Sequence, residues 1–239
     1  MSATHAEFAG RHVMVTGAAA GIGRATALAF AAQGARVTAV DLNAEGLAET
    51  AAAAEAITPA TCDLTDSAAL NALCAEAEAR HGAIRVLVNN AGVDRRIAFA
   101  EQTEADWRWM LAANLDHHAL LAAQVAPGMA AAGGGAIVNL SSTAWMKLAG
   151  NLTAYHTAKA GILGLTRGLA RDLGGQPREL ALSKLGRQAL FDLHHIDRLG
   201  GHPHGPGQRH RLARLQLAEP VRTQKPLQRA LGQAVHPKT

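Results

Sequence analysis

Cysteine is nearly absent from this sequence: Cys62 and Cys74 are the only two among 239 residues. Two thiols cannot build a disulfide framework, and their spacing fits no zinc motif. They are expected to be reduced core thiols of a cytoplasmic protein. Aromatic residues make up 3%, and Tyr155 is the single tyrosine. No stretch of about 18 apolar residues runs free of charge, so no membrane span is expected. Residues 1–10 contain His5 and Glu7 and lack an apolar segment, which argues against a signal peptide. What the chain does have is small apolar residues. They dominate an apolar fraction of 49%, with runs such as Ala18–Ala20 and Ala51–Ala54 suited to tightly packed helices. The length suits one large domain or two small ones.

The net charge of +4 conceals an uneven distribution. Residues 176–239 hold 11 Lys+Arg against 4 Asp+Glu, whereas residues 1–175 hold 12 against 15. The same tail carries 6 of the 12 histidines and 6 of the 8 prolines. This break divides the chain into residues 1–175 and an atypical basic tail, 176–239. Neither aromatic interleaving nor a known motif accompanies the basic charge, so no nucleic-acid partner is expected. His202 and His204 suggest a metal only weakly, because no pattern places a third ligand.

Up to residue 175 the chain alternates between two periodicities. Apolar runs at His12–Thr16, Ala35–Val40, Pro59–Asp63, Ile84–Asn89 and Ala136–Ser141 read as buried strands. Helical patterns fall between them, at Ile22–Gln33, residues 43–56 and Ser67–His81, followed by one long helix over 104–132, kinked at Pro127, and a last one at Ala154–Leu173. Alternating strands and helices predict an α/β, Rossmann-like, doubly wound parallel sheet with helices on both faces. Ligands of such sheets lie beyond the C-terminal ends of the strands.

Two of the features found there have a chemistry of their own. Thr16-Gly17-Ala18-Ala19-Ala20-Gly21-Ile22-Gly23 follows the first strand and opens a helix. Glycines permit the tight turn and the close approach of a pyrophosphate, and the helix N-terminus supplies N–H donors to it. Asp41 ends the second strand, 18 residues after Gly23, where a carboxylate can accept hydrogen bonds from an adenosine ribose and repel a 2′-phosphate. No Arg or Lys stands at Ala20, Leu42 or Asn43. The expected cofactor is therefore NAD rather than NADP. Tyr155 and Lys159 stand four apart, on one face of a helix. A phenol ordinarily holds its proton until about pH 10. A neighbouring ammonium favours the phenolate, so the pair can exchange a proton with a carbinol or carbonyl oxygen.

The sequence resembles the classical short-chain dehydrogenases. Thr-Gly-x-x-x-Gly-x-Gly at Thr16–Gly23, Asn-Asn-Ala-Gly at Asn89–Gly92, Asn114 in Ala-Asn-Leu-Asp, Ser142 thirteen residues before Tyr155, and Tyr-x-x-x-Lys at Tyr155–Lys159 carry the resemblance, which covers about residues 8–175. It implies that Tyr155 is the general acid/base. Lys159 would lower its pKa and hold the nicotinamide ribose, Ser142 would bond the substrate oxygen, and Asn114 would hold a proton-relaying water. For the cofactor it implies contacts from Gly17, Ala20, Gly21, Ile22, Gly23, Asp41, Asn90, Gly92, Tyr155 and Lys159, with Asp63 and Leu64 against adenine. The spacing to Tyr155 favours Ser142 over Ser141. The resemblance also implies a homo-oligomer paired through the helices at about 104–132 and 154–173, a tetramer, or a dimer if the family's last strand is missing.

The stretches Asn114–Gln124 and Ser141–Lys159 look similar to the branch that oxidises aldoses to lactones. Arg95, Arg96, His117, His118 and Trp145-Met146-Lys147 could then form a polar pocket for a polyhydroxylated substrate. Alternatively, the arginines are solvated loop charges and the histidines structural or at a subunit contact. At family spacing a sixth strand would fall at Arg178–Lys184 and a turn at Leu185-Gly186, but the turn lacks its proline and Glu179 would enter a doubly buried strand. Beyond Gly186 no family feature is found. The simultaneous loss of motif, strand pattern and acidic residues is what a shift of coding frame near Gly174–Arg178 would produce. Sequencing the gene, and finding no family-like residues in either other frame, would refute that. A rival to the enzyme is thus a family-like protein that binds NAD without catalysis.

Overall fold

The computed structural model describes residues 5–147 and 149–174. The sixth strand expected at Arg178–Lys184, the Leu185-Gly186 turn, His202, His204 and the tail 176–239 lie outside the described residues. Within them, β1 (His12–Thr16), β2 (Arg36–Asp41), β3 (Ile57–Thr61), β4 (Ile84–Asn89) and β5 (Ala136–Asn139) form one parallel sheet in the order β3-β2-β1-β4-β5. The helices are α1 (Gly21–Ala32), α2 (Ala44–Ala52), α3 (Ser67–His81), α4 (Glu104–Leu111), α5 (His117–Ala131) and α6 (Thr153–Leu173). This is the doubly wound architecture that the alternation of periods predicts.

Side-chain alternation along each strand sends residues to two cores. Val13, Val15, Val37, Ala39, Val86 and Val88 face one side, against Ala27, Phe30 and Leu47 of α1 and α2. Met14, Val40 and Leu87 face the other, against Leu70, Leu73, Leu121 and Val125 of α3 and α5. β1 is buried from end to end because it is central and covered on both faces, which is why its sequence runs apolar without a polar break. The strand order reverses beside β1, between the β1–β2 and β1–β4 pairs, so loops diverge there and leave a crevice.

Several expected boundaries shift, for local reasons. β3 begins and ends two residues earlier than expected. It is the edge strand, where Pro59 costs no ladder bond, and Asp63 has already left it for a turn, with Oδ1 accepting Thr65 N–H at 2.9 Å. α2 is shorter than expected and starts where Asn43 Oδ1 accepts Gly46 N–H at 3.1 Å. α3 matches its expected span, fixed by the Asp66 cap at one end and Gly82, at φ 78°, after the other. The long helix expected over 104–132 is not ended at Pro127, which sits inside α5. It is broken instead by a π-helical turn at Ala112–Asp116.

Candidate active site

Because every strand pair is parallel, Thr16, Asp41, Asn89 and Asn139 all end strands at one edge of the sheet. The glycine turn begins there. Gly17 has φ 67°, and a Cβ on it would lie 2.7 Å from Asn90 Nδ2 and 2.9 Å from Ala91 Cα. A Cβ on Gly23 would lie 1.9 Å from the Gly17 carbonyl oxygen, so helix and turn touch backbone to backbone. Asn90 buttresses this turn, its Nδ2 donating to Thr16 O at 2.9 Å and Gly17 O at 3.3 Å. Thr16 Oγ1 accepts the N–H groups of Asn90 and Ala91, at 3.0 Å each. Thr16 closes the turn from below, a role its motif position did not announce.

The open side of the turn fits a dinucleotide. Ala20 caps α1 without any side-chain bond to the helix, so the first N–H donors keep their partial positive charge. A Cβ at Gly21 would meet nothing within 4 Å. Asp41 is fixed at the mouth: Oδ2 accepts Ala19 N–H and Oδ1 accepts Asn43 N–H, both at 3.0 Å. Arg24, the residue after the glycine turn, donates to Ala19 O of that turn at 2.5 Å as well as to Thr50, Gly46 O and Glu49. Ile22 and Leu42 stand exposed on either side, and Asp63, held below the usual carboxylate range by Thr65, lies with Leu64 just past β3.

The other half is built on α6 and the π-helical turn. Lys159 is 4% exposed and donates from Nζ to Leu140 O at 3.3 Å. Burial lowers its pKa to about 8. Tyr155, one helical turn earlier, is half-buried. The wide turn aims Asn114 inward, where Oδ1 accepts Val93 N–H at 2.9 Å while Nδ2 donates to Val93 O and Met110 O, both at 3.0 Å. Gly92 separates the two: a Cβ there would lie 2.8 Å from Lys159 Nζ and 2.9 Å from Asn114 Oδ1. Ser141 Oγ donates to the Lys159 carbonyl, whereas Ser142 Oγ accepts Ala144 N–H at 3.1 Å. The thirteen-residue spacing thus selects the serine whose proton no described residue uses.

The expected polar pocket is only partly assembled. Arg95 pairs with Asp106 at 3.4 Å and lies 5.9 Å over the Trp109 ring. Arg96 donates to Gly150 O at 3.1 Å and, with Ile97 N–H on Asn151 O, ties the loop after β4 to the loop before α6. His117 and His118 are fully buried and line no surface. Trp145 Nε1 and His156 Nε2 are buried and unpaired among the described residues. A network the motifs did not reveal runs beneath: Asn89 Nδ2 donates to Asn139 Oδ1 at 2.9 Å, and Asn139 Nδ2 to Thr166 Oγ1 at 3.0 Å. Its signal was an asparagine ending each of two apolar runs. Among the described residues no three metal-ligating side chains converge, and no helix is long and apolar enough to cross a membrane.

Comparison with known proteins points one way. The family model described as short chain dehydrogenase matches residues 11–177. A probable galactose dehydrogenase of Rhizobium meliloti (strain 1021) is 47% identical over 169 residues, 69% of this chain and 66% of its own length. A D-xylose 1-dehydrogenase of Caulobacter vibrioides is 41% identical over 177 residues, 72% of this chain and 70% of its own. The chain thus spans about two thirds of the length of the curated relatives it matches. A crystal structure of a metagenomic short-chain oxidoreductase in complex with NADP superposes with a TM-score of 0.69 at 34% identity, covering 73% of this chain and 81% of that one.

Proposed function

The chain belongs to the short-chain dehydrogenase family, and on that premise we propose that it is an NAD-dependent oxidoreductase interconverting a hydroxyl and a carbonyl, with an aldose or related polyol as substrate. The observation that carries this reading is Lys159, an ammonium buried one helical turn from the single tyrosine, at the edge of the sheet where the glycine turn and Asp41 also stand. Gly17, Ala20, Gly21, Ile22 and Gly23 would hold the pyrophosphate, Asp41 the adenosine ribose, Asp63 and Leu64 the adenine, and Asn90, Gly92, Tyr155 and Lys159 the nicotinamide half. The bound nicotinamide supplies the hydride acceptor or donor. In the oxidising direction Ser142 bonds the substrate oxygen and Tyr155 Oη takes its proton. The Lys159 charge stabilises the phenolate that does so, and Asn114 holds the relay path open beside it. NAD is favoured over NADP because Asp41 presents a carboxylate where a 2′-phosphate would lie.

The relatives named for galactose and xylose support a sugar. Exposed Trp109, Leu120 and Leu163, on α4, α5 and α6, support homo-oligomer pairing through these helices. The test is incubation of the full chain with NAD and a panel of aldoses, polyols and simple secondary alcohols, following NADH. Turnover confined to polyhydroxylated compounds supports the reading. Saturable NAD binding with no turnover on any of them would move the function to cofactor binding without catalysis, which the family match ending at residue 177 makes the second reading.

A further inference from the structure

The glycine turn is held from behind by an arginine to which the motif gives no task. Gly17 and Gly21, at φ 67° and 53°, flank Ala18, Ala19 and Ala20 with backbone that turns freely, so the direction of the peptides between them is set from outside. Each polar backbone group of Ala18 and Ala19 has a partner. Ala18 N–H donates to Val40 O at 3.1 Å, and Ala19 N–H to Asp41 Oδ2 at 3.0 Å. Ala19 O accepts Arg24 Nη2 at 2.5 Å. Thr50 Oγ1 accepts Arg24 Nε at 3.0 Å, so its own proton turns to the carbonyls of Ala18 and Gly46, both 2.9 Å away. Arg24 Nη2 also reaches Gly46 O at 3.1 Å and Glu49 Oε2 at 2.7 Å. α2 lies this close because Gly46 has no side chain: a Cβ there would stand 2.8 Å from Ala19 O.

The peptide between Ala19 and Ala20 is the one Arg24 orients. In a trans peptide the carbonyl and the N–H point in opposite directions. With Ala19 O drawn back onto the guanidinium, Ala20 N–H faces the other way, and Ala20 is the exposed residue from which α1 starts. A planar guanidinium can hold a turn carbonyl, a helix carbonyl, a hydroxyl and a carboxylate together, and it stays charged throughout the working pH range. We infer that Arg24 is a positioning residue for the cofactor: by fixing Ala19 O it aims the Ala20 N–H at the pyrophosphate. The inference rests on the reading of Thr16–Gly23 as the pyrophosphate turn and adds to it a residue outside the motif.

The test measures binding rather than turnover. Full-length wild type, Arg24→Met, Arg24→Lys and Glu49→Gln are each titrated by NMR with NAD and with adenosine, which carries the adenine and its ribose but no phosphate. Arg24→Met is expected to raise the NAD dissociation constant about tenfold, the size of one charge-assisted hydrogen bond expressed as affinity, and to leave that of adenosine within about twofold. Arg24→Lys keeps the charge but reaches fewer oxygens and should lose about threefold for NAD; it carries the comparison if the methionine chain does not fold. Glu49→Gln removes the outer partner, leaves the contacts to the turn, and should bind both ligands as wild type does. An Arg24→Met chain, or in its place an Arg24→Lys chain, that binds NAD as tightly as wild type would overturn the inference. So would an equal loss for adenosine, because a generally loosened structure and not an aimed N–H would then be responsible. Tighter NAD binding in Glu49→Gln would overturn it too, by making the effect one of charge alone. Wild type that binds no NAD would overturn this inference and the oxidoreductase reading together. Wild type that binds NAD but turns over nothing in the substrate panel would overturn only the latter.

Discussion

Lys159→Met removes a buried charge while keeping an unbranched side chain, and it is expected to stabilise the fold at neutral pH. In the folded chain the lysine pKa falls from 10.5 to about 8, with burial as the cause. At about 1.36 kcal/mol per pH unit, holding the proton in the fold costs roughly 3 kcal/mol. Below about pH 8 the lysine is protonated in both folded and unfolded chains, so the whole cost is present. Between about 8 and 10.5 the unfolded chain keeps a proton that the folded chain has released, so wild-type stability rises with pH. Losing the bond to the Leu140 carbonyl offsets about 1 kcal/mol of the gain, which leaves a net stabilisation of about 2 kcal/mol at pH 7. Urea unfolding followed by circular dichroism, at pH 7 and pH 10, measures the difference between the two chains. The methionine chain should be the more stable at pH 7, and most of its advantage should be gone at pH 10. A difference that does not change with pH, or a methionine chain that is less stable at pH 7, would refute the argument.

Gly92→Ala forces a Cβ to within 2.8 Å of Lys159 Nζ and 2.9 Å of Asn114 Oδ1, and thermal unfolding should show a loss of about 1–3 kcal/mol. Asp41→Ala removes the carboxylate proposed to face the adenosine ribose, and the ratio of kcat/KM for NADP over NAD should rise by about tenfold or more, as expected when a like charge is withdrawn. Unchanged preference would remove Asp41 from the ribose site. Leu163→Asp places a charge at an exposed leucine of α6, and light scattering should report a smaller assembly than wild type. An unchanged mass would put the subunit contact elsewhere.

The strands were the most legible part of the sequence, because a strand buried on both faces is written as a largely apolar run. His12–Thr16 and Ile84–Asn89 have the limits expected. The break between α4 and α5 was not legible. The apolar pattern continues through Ala112–Asp116, and only the structure shows the bonds Asn114 makes there, to Val93 of a distant loop and to Met110 one turn earlier. Pro127 carries the stronger local signal yet only removes one bond from a helix held by packing. Tyr155 and Lys159 could be paired from their spacing, and Asn114, Gly92 and Ser142 named from the family resemblance, but their setting could not be read from the sequence. Arg95 and Arg96 are held by Asp106 and Gly150, and His117 and His118 lie in the core, where a polar pair gives no periodic signal. The family match ends at residue 177, within the composition break that the charges mark.

The central claim is that Tyr155 moves the proton while the rest of the site holds the cofactor. It is tested most directly by comparing wild type with Tyr155→Phe on whichever sugar or polyol yields NADH, together with the NAD dissociation constant of each. The account predicts that turnover falls by about a thousandfold, within the usual range for a lost general acid/base, with NAD affinity changed little. Turnover that survives in the phenylalanine chain would contradict it.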